Sequence, residues 1–395
     1  MKNYKAHQHP EQANLFETES INNGKNVGLL FTTNLNEVRE GIAKINPSKY
    51  AKSRNFINGS VTYLSPYISR GCISLTEVKE EILGKYKFYE AEKLIQELAW
   101  REFFQRVWQS LGEGILRDVK QTQPNVSHYK IPTNIINANT GIDALDKGIN
   151  NLYETGYMHN HLRMYTAMLT CNVAQAHWQA PAEWLYYHLL DGDVASNALS
   201  WQWVAGSFSS KKYYANQENI SKYTGSNQYK SYLANSYEAI AEMPIPDKLT
   251  ATQNLALTTN LPTSDEISWG NYSNLAIFNS YNLDATWHNE QDCLRVLLLE
   301  PSHFTKHPIS DKVLAFIIDL AKNNIKDVKI YVGEFATLTS GFLTEVPSAK
   351  IYFKEHPTTK HYHGIQESRE WLFPEVQGNF NSFFSFWKKC ERYIK

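Results

Sequence analysis

The sequence predicts a two-part fold in which a largely helical region is followed by a small C-terminal α/β domain. From about residue 35 to residue 248, apolar residues recur at helical spacing and alternating strand patterns are scarce. From Leu294 onward, two short apolar runs flank an amphipathic stretch. This strand, helix, strand order is typical of a parallel α/β unit.

The helical region is predicted to begin at Leu35, after a polar N-terminal arm that comprises residues 1–34. Val38, Ile42 and Ile45 lie at the spacing of one helix face. The same spacing predicts further helices over 75–83, 89–111, 142–153, 159–176, 182–190 and 197–205. The last of these follows the acidic turn Asp191-Gly192-Asp193, in which Asp193 is also a candidate N-cap.

The C-terminal part is predicted as an irregular linker over 249–291 and an α/β domain over 292–395. The linker is rich in Pro, Thr and Asn and has no sustained period. The domain is predicted to contain strands at 294–299, 328–332 and 349–353, a helix over 310–323 and a closing helix over 380–393. It has no GxGxxG fingerprint, so its sequence assigns it no nucleotide.

Composition limits the function classes. The chain has 395 residues and a formal net charge of −1, so any site for a polyanion must be a local patch. Its four cysteines form no CxxC pair, which argues against a zinc site and against a disulfide scaffold. No run approaches the roughly 18 apolar residues of a membrane span, and the N-terminus has no apolar signal segment. We therefore expect a cytoplasmic protein without a membrane or metal partner.

A polar and aromatic face is predicted on the helix over 89–111. Glu97, Trp100, Arg101 and Phe104 fall at i, i+3, i+4 and i+7, and therefore share one side. Such a face suits the wall of a site for a polar, ring-bearing ligand. The alternative is an interhelical ion pair beside core aromatics.

A second such face carries Asn160, Arg163 and Met164. Arg163 is placed to pair with Asp191 or Asp193, and such a pair would stabilise the reduced anion of a flat heterocycle held against it. His159 and His161 lie two residues apart and face different ways, which argues against a metal site.

A turn rich in hydroxyl groups lies upstream, at residues 59–67. Its hydroxyl and backbone amide groups precede a helix start, an arrangement that can hold phosphate. The alternative is an ordinary capping sequence, since Ser or Thr before Pro is common at helix starts.

Taken together, five segments resemble the flavin-binding catalytic domain of the photolyase and cryptochrome family. They are residues 50–56, 62–67, 97–103, 158–164 and 191–203, and the resemblance covers about residues 40–225. It implies an all-helical photolyase-type domain that holds FAD at its centre. The family's α/β antenna domain normally comes first, whereas here a small Rossmann-like α/β domain follows, which suggests a rearranged domain order.

The resemblance implies a role for each matching residue. FAD would be held by Tyr50, Thr62, Leu64, Ser65, Arg163, Asp191, Asp193 and Asn197. The pocket for a cyclobutane pyrimidine dimer would be formed by Glu97, Trp100, Asn160, Met164 and Trp203. Arg54, Arg101 and His161 match DNA-contacting positions, and Lys211 is a further candidate for a phosphate contact. Trp201 and Trp178 match the inner and middle members of an electron relay.

The activity implied by the resemblance is light-driven repair of cyclobutane pyrimidine dimers in UV-damaged DNA. Two alternatives remain, a flavin photoreceptor without repair activity and a degenerate flavoprotein. His161 stands where the family usually has arginine, so phosphate contacts are expected to be weaker. The surface member of the relay is not evident, because Tyr129 is the only aromatic residue near its expected place. The sequence leaves open an antenna pigment and the oligomeric state.

Overall fold

The structure, a computed structural model, describes residues 31–289 and 292–394. Its first part is helical and contains one short antiparallel pair, β1 (Ile131–Pro132) with β2 (Thr252–Gln253). The helices of this part are α1 (Leu35–Ala43), α2 (Pro47–Ser53), α3 (Ser65–Ser69), α4 (Leu75–Leu83), α5 (Phe88–Leu111), α6 (Thr133–Ile136), α7 (Asp143–Thr155), α8 (Asn160–Met168), α9 (Gln179–His188), α10 (Val194–Ala205), α11 (Gln217–Thr224) and α12 (Tyr237–Glu242).

The second part is built on a parallel five-stranded sheet with the order β5-β4-β3-β6-β7. Its strands are β3 (Asn274–Phe278), β4 (Cys293–Leu299), β5 (Lys329–Val332), β6 (Lys350–Lys354) and β7 (Ile365–Glu367), and its helices are α13 (Pro301–Lys306), α14 (Asp311–Asn324), α15 (Phe335–Glu345) and α16 (Phe383–Cys390). The strand order reverses between β3 and β6. The carboxyl ends of those two strands therefore form the crevice at which open α/β sheets bind ligands.

Most predicted elements lie where the periodicity places them. Helix α4 covers the predicted residues 75–83, and its first turn is capped by Ser74, whose hydroxyl accepts the Glu77 N–H. The predicted strand at 294–299 corresponds to β4, which is buried along its whole length. The predicted helix over 159–176 is shorter, because α8 ends at Met168 and a π-helical turn continues to Val173.

Two predicted boundaries are wrong. Strand β3 lies inside the segment predicted as an irregular linker, since a five-residue buried strand is too short for periodicity to reveal. Residues 31–34, predicted as the end of a polar arm, pack on the protein. Phe31 is 1% exposed, and the Tyr67 hydroxyl donates to the Thr32 carbonyl at 2.8 Å. The rest of that predicted arm, residues 1–30, lies outside the described residues.

Buried polar contacts join the two parts. The Glu102 carboxylate on α5 accepts the backbone N–H groups of Leu372 and Phe373 and pairs with Arg106. Burial raises the pKa of Glu102, and the Arg106 charge opposes that shift. Arg70 is fully buried and donates to the Leu190 carbonyl in the helical part and to the Ser280 carbonyl after β3. The α/β part therefore fixes the position of α5.

Buried and half-buried histidines should make the protein sensitive to acid. Burial lowers the pKa of His159 and of His188 to about 4 and that of His303 to about 3. In the unfolded chain these groups titrate near 6.5. Below that pH the unfolded state binds protons that the folded state does not. The contribution of these neutral histidines to the free energy of unfolding is therefore fully present above about pH 6.5 and is lost as pH falls toward 4. We expect the thermal midpoint, measured by circular dichroism, to fall steadily from pH 7 to pH 5. A constant midpoint would contradict these pKa shifts.

Candidate cofactor and substrate cavity

A cavity of about 750 Å³ opens between α5, α8 and α10 and the turn before α3. This volume lies within the range of small-molecule and cofactor sites. The predicted site residues on its wall are Tyr50, Arg54, Thr62, Ser65, Glu97, Trp100, Arg101, Asn160, His161, Arg163, Met164, Asp191, Asp193, Asn197, Trp201 and Trp203. Three predicted residues are not on the wall, namely Leu64, Trp178 and Lys211.

The guanidinium of Arg163 and the carboxylate of Asp191 form a two-point ion pair in this wall. One guanidinium nitrogen, Nη2, lies 3.1 and 3.0 Å from the two Asp191 oxygens, and Nε donates to the Met158 carbonyl at 2.7 Å. Asp191 is 8% exposed. The backbone of this turn is held in addition by Ser69, whose hydroxyl donates to the Asp191 carbonyl at 2.9 Å. Sequence reasoning did not identify Ser69, because the contact joins segments far apart in the chain.

Asp193 is both a helix cap and a wall residue. Its Oδ1 accepts the Ser196 N–H at 2.6 Å at the start of α10. Its Oδ2 accepts from the Gln105 amide at 2.7 Å and lies 3.7 Å from a guanidinium nitrogen of Arg101. Asp193 therefore caps α10 and also lines the cavity. Gln105 was not predicted, although it follows Arg101 by one turn on the same helix face.

Two side chains at the start of α10 have polar atoms available to a ligand. The Asn197 amide nitrogen donates to the Ala182 carbonyl at 2.8 Å, which leaves the amide oxygen for the cavity. The Ser196 hydroxyl is buried and has no hydrogen-bond partner among the described residues. A buried polar group without a partner costs free energy, so this hydroxyl favours a polar ligand at that point.

The turn before α3 has backbone dihedral angles typical of an anion-binding nest. Tyr63 has a φ of 52°, in the left-handed region, and Leu64 follows in the right-handed region with φ −83° and ψ −13°. Successive N–H groups in such alternating conformations form nests that bind anions. The Leu64 side chain is 3% exposed and belongs to the core, so only its backbone can meet a phosphate. The left-handed Tyr63 is not visible in the sequence.

The aromatic wall is partly covered by the C-terminal helix. Phe383 on α16 stacks on the Trp100 indole with a centroid distance of 3.8 Å and an interplanar angle of 10°. One face of Trp100 therefore remains for a ligand. Trp203 is 38% exposed and lies 6.0 Å from the Tyr213 ring.

The polar groups beside Trp100 are already paired with one another. Glu97 Oε1 lies 3.3 Å from a guanidinium nitrogen of Arg54 and 2.9 Å from Lys93 Nζ. On α8, the Asn160 amide lies 3.8 Å from the Met164 sulfur. Arg54 and Lys93 therefore hold the Glu97 carboxylate in position for a ligand.

Trp201 and Trp178 are both buried, at 2% and 1% exposure. The Trp178 indole N–H donates to Asp118 at 2.7 Å. The ring of His177 lies 5.7 Å from the Trp178 ring and 5.0 Å from the Tyr129 ring, on which it stacks. Tyr129 is 73% exposed. A continuous series of rings thus leads from Trp178 to the surface, which the sequence alone did not reveal.

The remaining candidates for DNA contact differ in charge and position. Burial and the Arg54 charge lower the pKa of His161, which is therefore neutral at pH 7. Lys211 is exposed and lies beyond the cavity wall. Within residues 31–289 and 292–394, no cluster of three or more His, Cys, Asp or Glu side chains is arranged to hold a metal ion. The described helices include none that is long and apolar enough to span a bilayer.

A second cavity, of about 480 Å³, lies at the carboxyl ends of β3 and β6. Its wall includes Lys354 at the end of β6, His356 after β6, and Asn282 after β3. The Asn282 amide nitrogen is buried and has no hydrogen-bond partner in the described part of the chain. Arg101 and Asp193 line both cavities, so one layer of side chains separates them.

Comparisons with known proteins bear on the first cavity. Residues 94–243 match the family profile described as the FAD binding domain of DNA photolyase. The chain is 32% identical over 169 residues to the deoxyribodipyrimidine photo-lyase of Synechococcus sp., a match that covers 40% of this chain and 35% of the relative. It is 30% identical over 210 residues to the chloroplastic/mitochondrial cryptochrome DASH of Ostreococcus tauri, with coverage of 49% and 37%.

Among solved structures, the cryptochrome of Synechocystis sp. aligns with a TM-score of 0.45 and 24% identity, covering 49% of this chain and 44% of that one. The chain spans about a third of the length of the curated relatives it matches.

Proposed function

We propose that this protein repairs cyclobutane pyrimidine dimers in UV-damaged DNA with light, because residues 94–243 match the profile of the FAD binding domain of DNA photolyase. The observation that carries the proposal is the shared cavity. Seven of the eight residues matched to FAD binding and all five matched to dimer binding line the same space. A lesion and a flavin held there would lie side by side, as transfer of an electron between them requires.

The cavity fits FAD. The nest at Tyr63 and Leu64 suits its phosphates, and the Arg163 and Asp191 pair suits the polar edge of its ring system. The unpartnered Ser196 hydroxyl and the free oxygen of Asn197 offer further polar contacts. When bound, reduced and excited by light, FAD supplies the electron that splits the cyclobutane ring and takes it back afterwards.

The residues of the chain bind and orient the lesion. The dimer must leave the duplex to reach the cavity, and unstacking costs a few kcal/mol, least for a damaged step. One face of Trp100 and the exposed Trp203 provide stacking surfaces for the extruded bases. Glu97, held by Arg54 and Lys93, accepts hydrogen bonds from the base edges.

A second candidate function is a blue-light photoreceptor, favoured by the similarity to a protein named cryptochrome DASH. It would need FAD and the buried tryptophans, but no lesion pocket. Loss of dimers on illumination separates the two functions.

We also propose that the α/β part takes the place of the family's antenna domain in a rearranged order. The strand reversal between β3 and β6 and the second cavity beside it support this proposal. Arg101 and Asp193 would then lie between a second pigment and FAD. The test is the absorption spectrum of the purified protein after subtraction of FAD. A residual chromophore band supports the proposal, and a spectrum of FAD alone contradicts an antenna role.

The first test of the proposed function is cofactor content. We expect one noncovalent FAD per chain, released by heat and quantified by its absorbance. Protein that contains no flavin and takes up none from solution would contradict the proposal as a whole.

His161→Arg should strengthen DNA binding. His161 is neutral at pH 7, so arginine adds a charge beside Arg54 on the cavity wall. Each added phosphate contact steepens the dependence of log affinity on log salt by about 0.7–0.9. We expect tighter binding of dimer-containing DNA at low salt and a steeper salt slope, measured by fluorescence anisotropy at several salt concentrations.

His161→Gln, which is neutral and similar in size, is the matched control and should resemble the wild type. Because the pKa of His161 lies below its ordinary value, wild-type affinity should also stay constant between pH 8 and pH 7. A salt slope unchanged by arginine would show that no phosphate lies near this position.

A further inference from the structure

The last helix of the chain, α16, carries an aromatic and cationic outer face. Phe383 and Phe386 are buried on its inner side, whereas Phe384 is 68% exposed. Lys388 is exposed one turn after Phe384, and the exposed Arg392 follows in the 3-10 turn that continues the helix. Spacing of four residues places these three side chains along one stripe.

This stripe adjoins the first cavity. The Phe384 ring lies 6.5 Å from the Trp100 ring and 5.5 Å from the Phe383 ring. Trp100 lines the cavity. Since Phe383 covers one face of Trp100, the C-terminal helix forms the rim of the cavity at this point. A strand whose base occupies the cavity must therefore pass close to Phe384.

The charges of this rim are mainly positive. Lys388, Lys389 and Arg392 are exposed, with Glu391 as the acidic residue of the same turn. The salt bridges among the described residues do not involve these three cations. Lys120 adds a further positive charge close by, because its ammonium group donates to the Asn381 carbonyl at 2.8 Å.

We propose that the outer face of α16 is a DNA-binding surface, on which Phe384 stacks against a base flanking the extruded dimer and Lys388 and Arg392 contact phosphates. The inference rests on the proposed function and extends the binding site beyond the lesion. Extrusion of a dimer leaves the neighbouring bases unstacked, and an exposed aromatic ring offers them a new stacking partner. Cations along the same stripe follow the strand, as in grooves that bind single-stranded nucleic acid.

The test compares Phe384→Ala with Phe384→Trp in the full chain with FAD bound. Binding of a fluorescent oligonucleotide that contains one thymine dimer is measured by anisotropy. Phe384→Ala should weaken binding about tenfold, whereas Phe384→Trp, which keeps a stacking ring, should bind at least as tightly as the wild type. Tyr89→Ala is the matched control, because Tyr89 is 73% exposed on the first turn of α5 and lies off the cavity wall.

A second measurement tests the cations. The double variant Lys388→Ala and Arg392→Ala should lower the salt slope of binding by about 1–2. FAD content and photoreduction should be unchanged in all these variants, because no changed residue lines the cavity.

The outcomes separate this inference from the proposed function. Wild-type protein that does not prefer dimer-containing DNA overturns the proposed function, and the rim inference with it. If the wild type does prefer such DNA, and Phe384→Ala binds it equally well, only the rim inference is overturned. Equal losses in Phe384→Ala and Tyr89→Ala would also overturn it, since the effect would not depend on position.

Discussion

The Trp201→Phe protein is expected to bind FAD but to fail to reduce it under blue light in the presence of a thiol. Trp201 is 2% exposed and lines the cavity one turn after Asn197. An indole at this place would lie beside the isoalloxazine ring of bound FAD and could pass an electron to it. Phenylalanine is much harder to oxidise than tryptophan. Repair by chemically reduced protein should be nearly unchanged, because Trp201 does not belong to the proposed lesion pocket.

The matched control is Trp184→Phe. Trp184 is 1% exposed and off the cavity wall, so this variant also loses a buried indole. It should photoreduce FAD at close to the wild-type rate. The rate is measured as the loss of the absorption band of oxidised flavin under illumination. Normal bleaching in Trp201→Phe would show that electrons enter by another route.

Tyr129→Phe should slow photoreduction less than Trp201→Phe does. Tyr129 stacks on His177, which contacts Trp178, so its exposed ring is placed to pass electrons from solution to the proposed relay. We expect a partial loss, because Tyr129 is the outermost ring of this series whereas Trp201 lies on the cavity wall.

The Trp100→Ala protein is expected to retain FAD and lose most of its affinity for dimer-containing DNA. Stacking of a base on an aromatic ring is worth about 1–3 kcal/mol, which corresponds to roughly a fivefold to 150-fold loss. Trp100→Phe keeps a flat ring and should retain part of this affinity. Binding is measured by anisotropy and FAD content by absorbance.

Trp100→Ala also removes the stacking partner of Phe383, so a second variant that leaves this contact intact is needed. Glu97→Gln keeps the size of the side chain and removes the charge that Arg54 and Lys93 hold. It should lower the rate of repair with FAD still bound. Loss of FAD in both variants would mean that this face supports the fold.

How much the sequence predicts depends on the range of the interaction. Helix α4 follows from its local period and the Ser74 cap, and the shared cavity wall of Glu97, Trp100 and Arg101 follows from spacing along a single helix. Strand β3 is not predicted, because its four consecutive buried residues have no diagnostic period.

The contacts that complete the site connect segments far apart in the chain. Phe383 covers Trp100 from the opposite end of the sequence, and Ser69 holds the carbonyl of Asp191. The stack of Tyr129 on His177 also depends on tertiary packing. Local periodicity and motif spacing contain no information about such pairs, so they become visible only when the fold is known.

Light-driven loss of dimers tests the central claim most directly. The wild-type protein, with FAD chemically reduced under anaerobic conditions, is mixed with an oligonucleotide that contains one thymine dimer, and half of each sample is illuminated. We predict that the dimer is restored to two thymines in the light over many turnovers, that it persists in the dark, and that Glu97→Gln slows the reaction. Persistence of the dimer in illuminated samples of reduced, FAD-loaded protein would contradict repair and favour the photoreceptor.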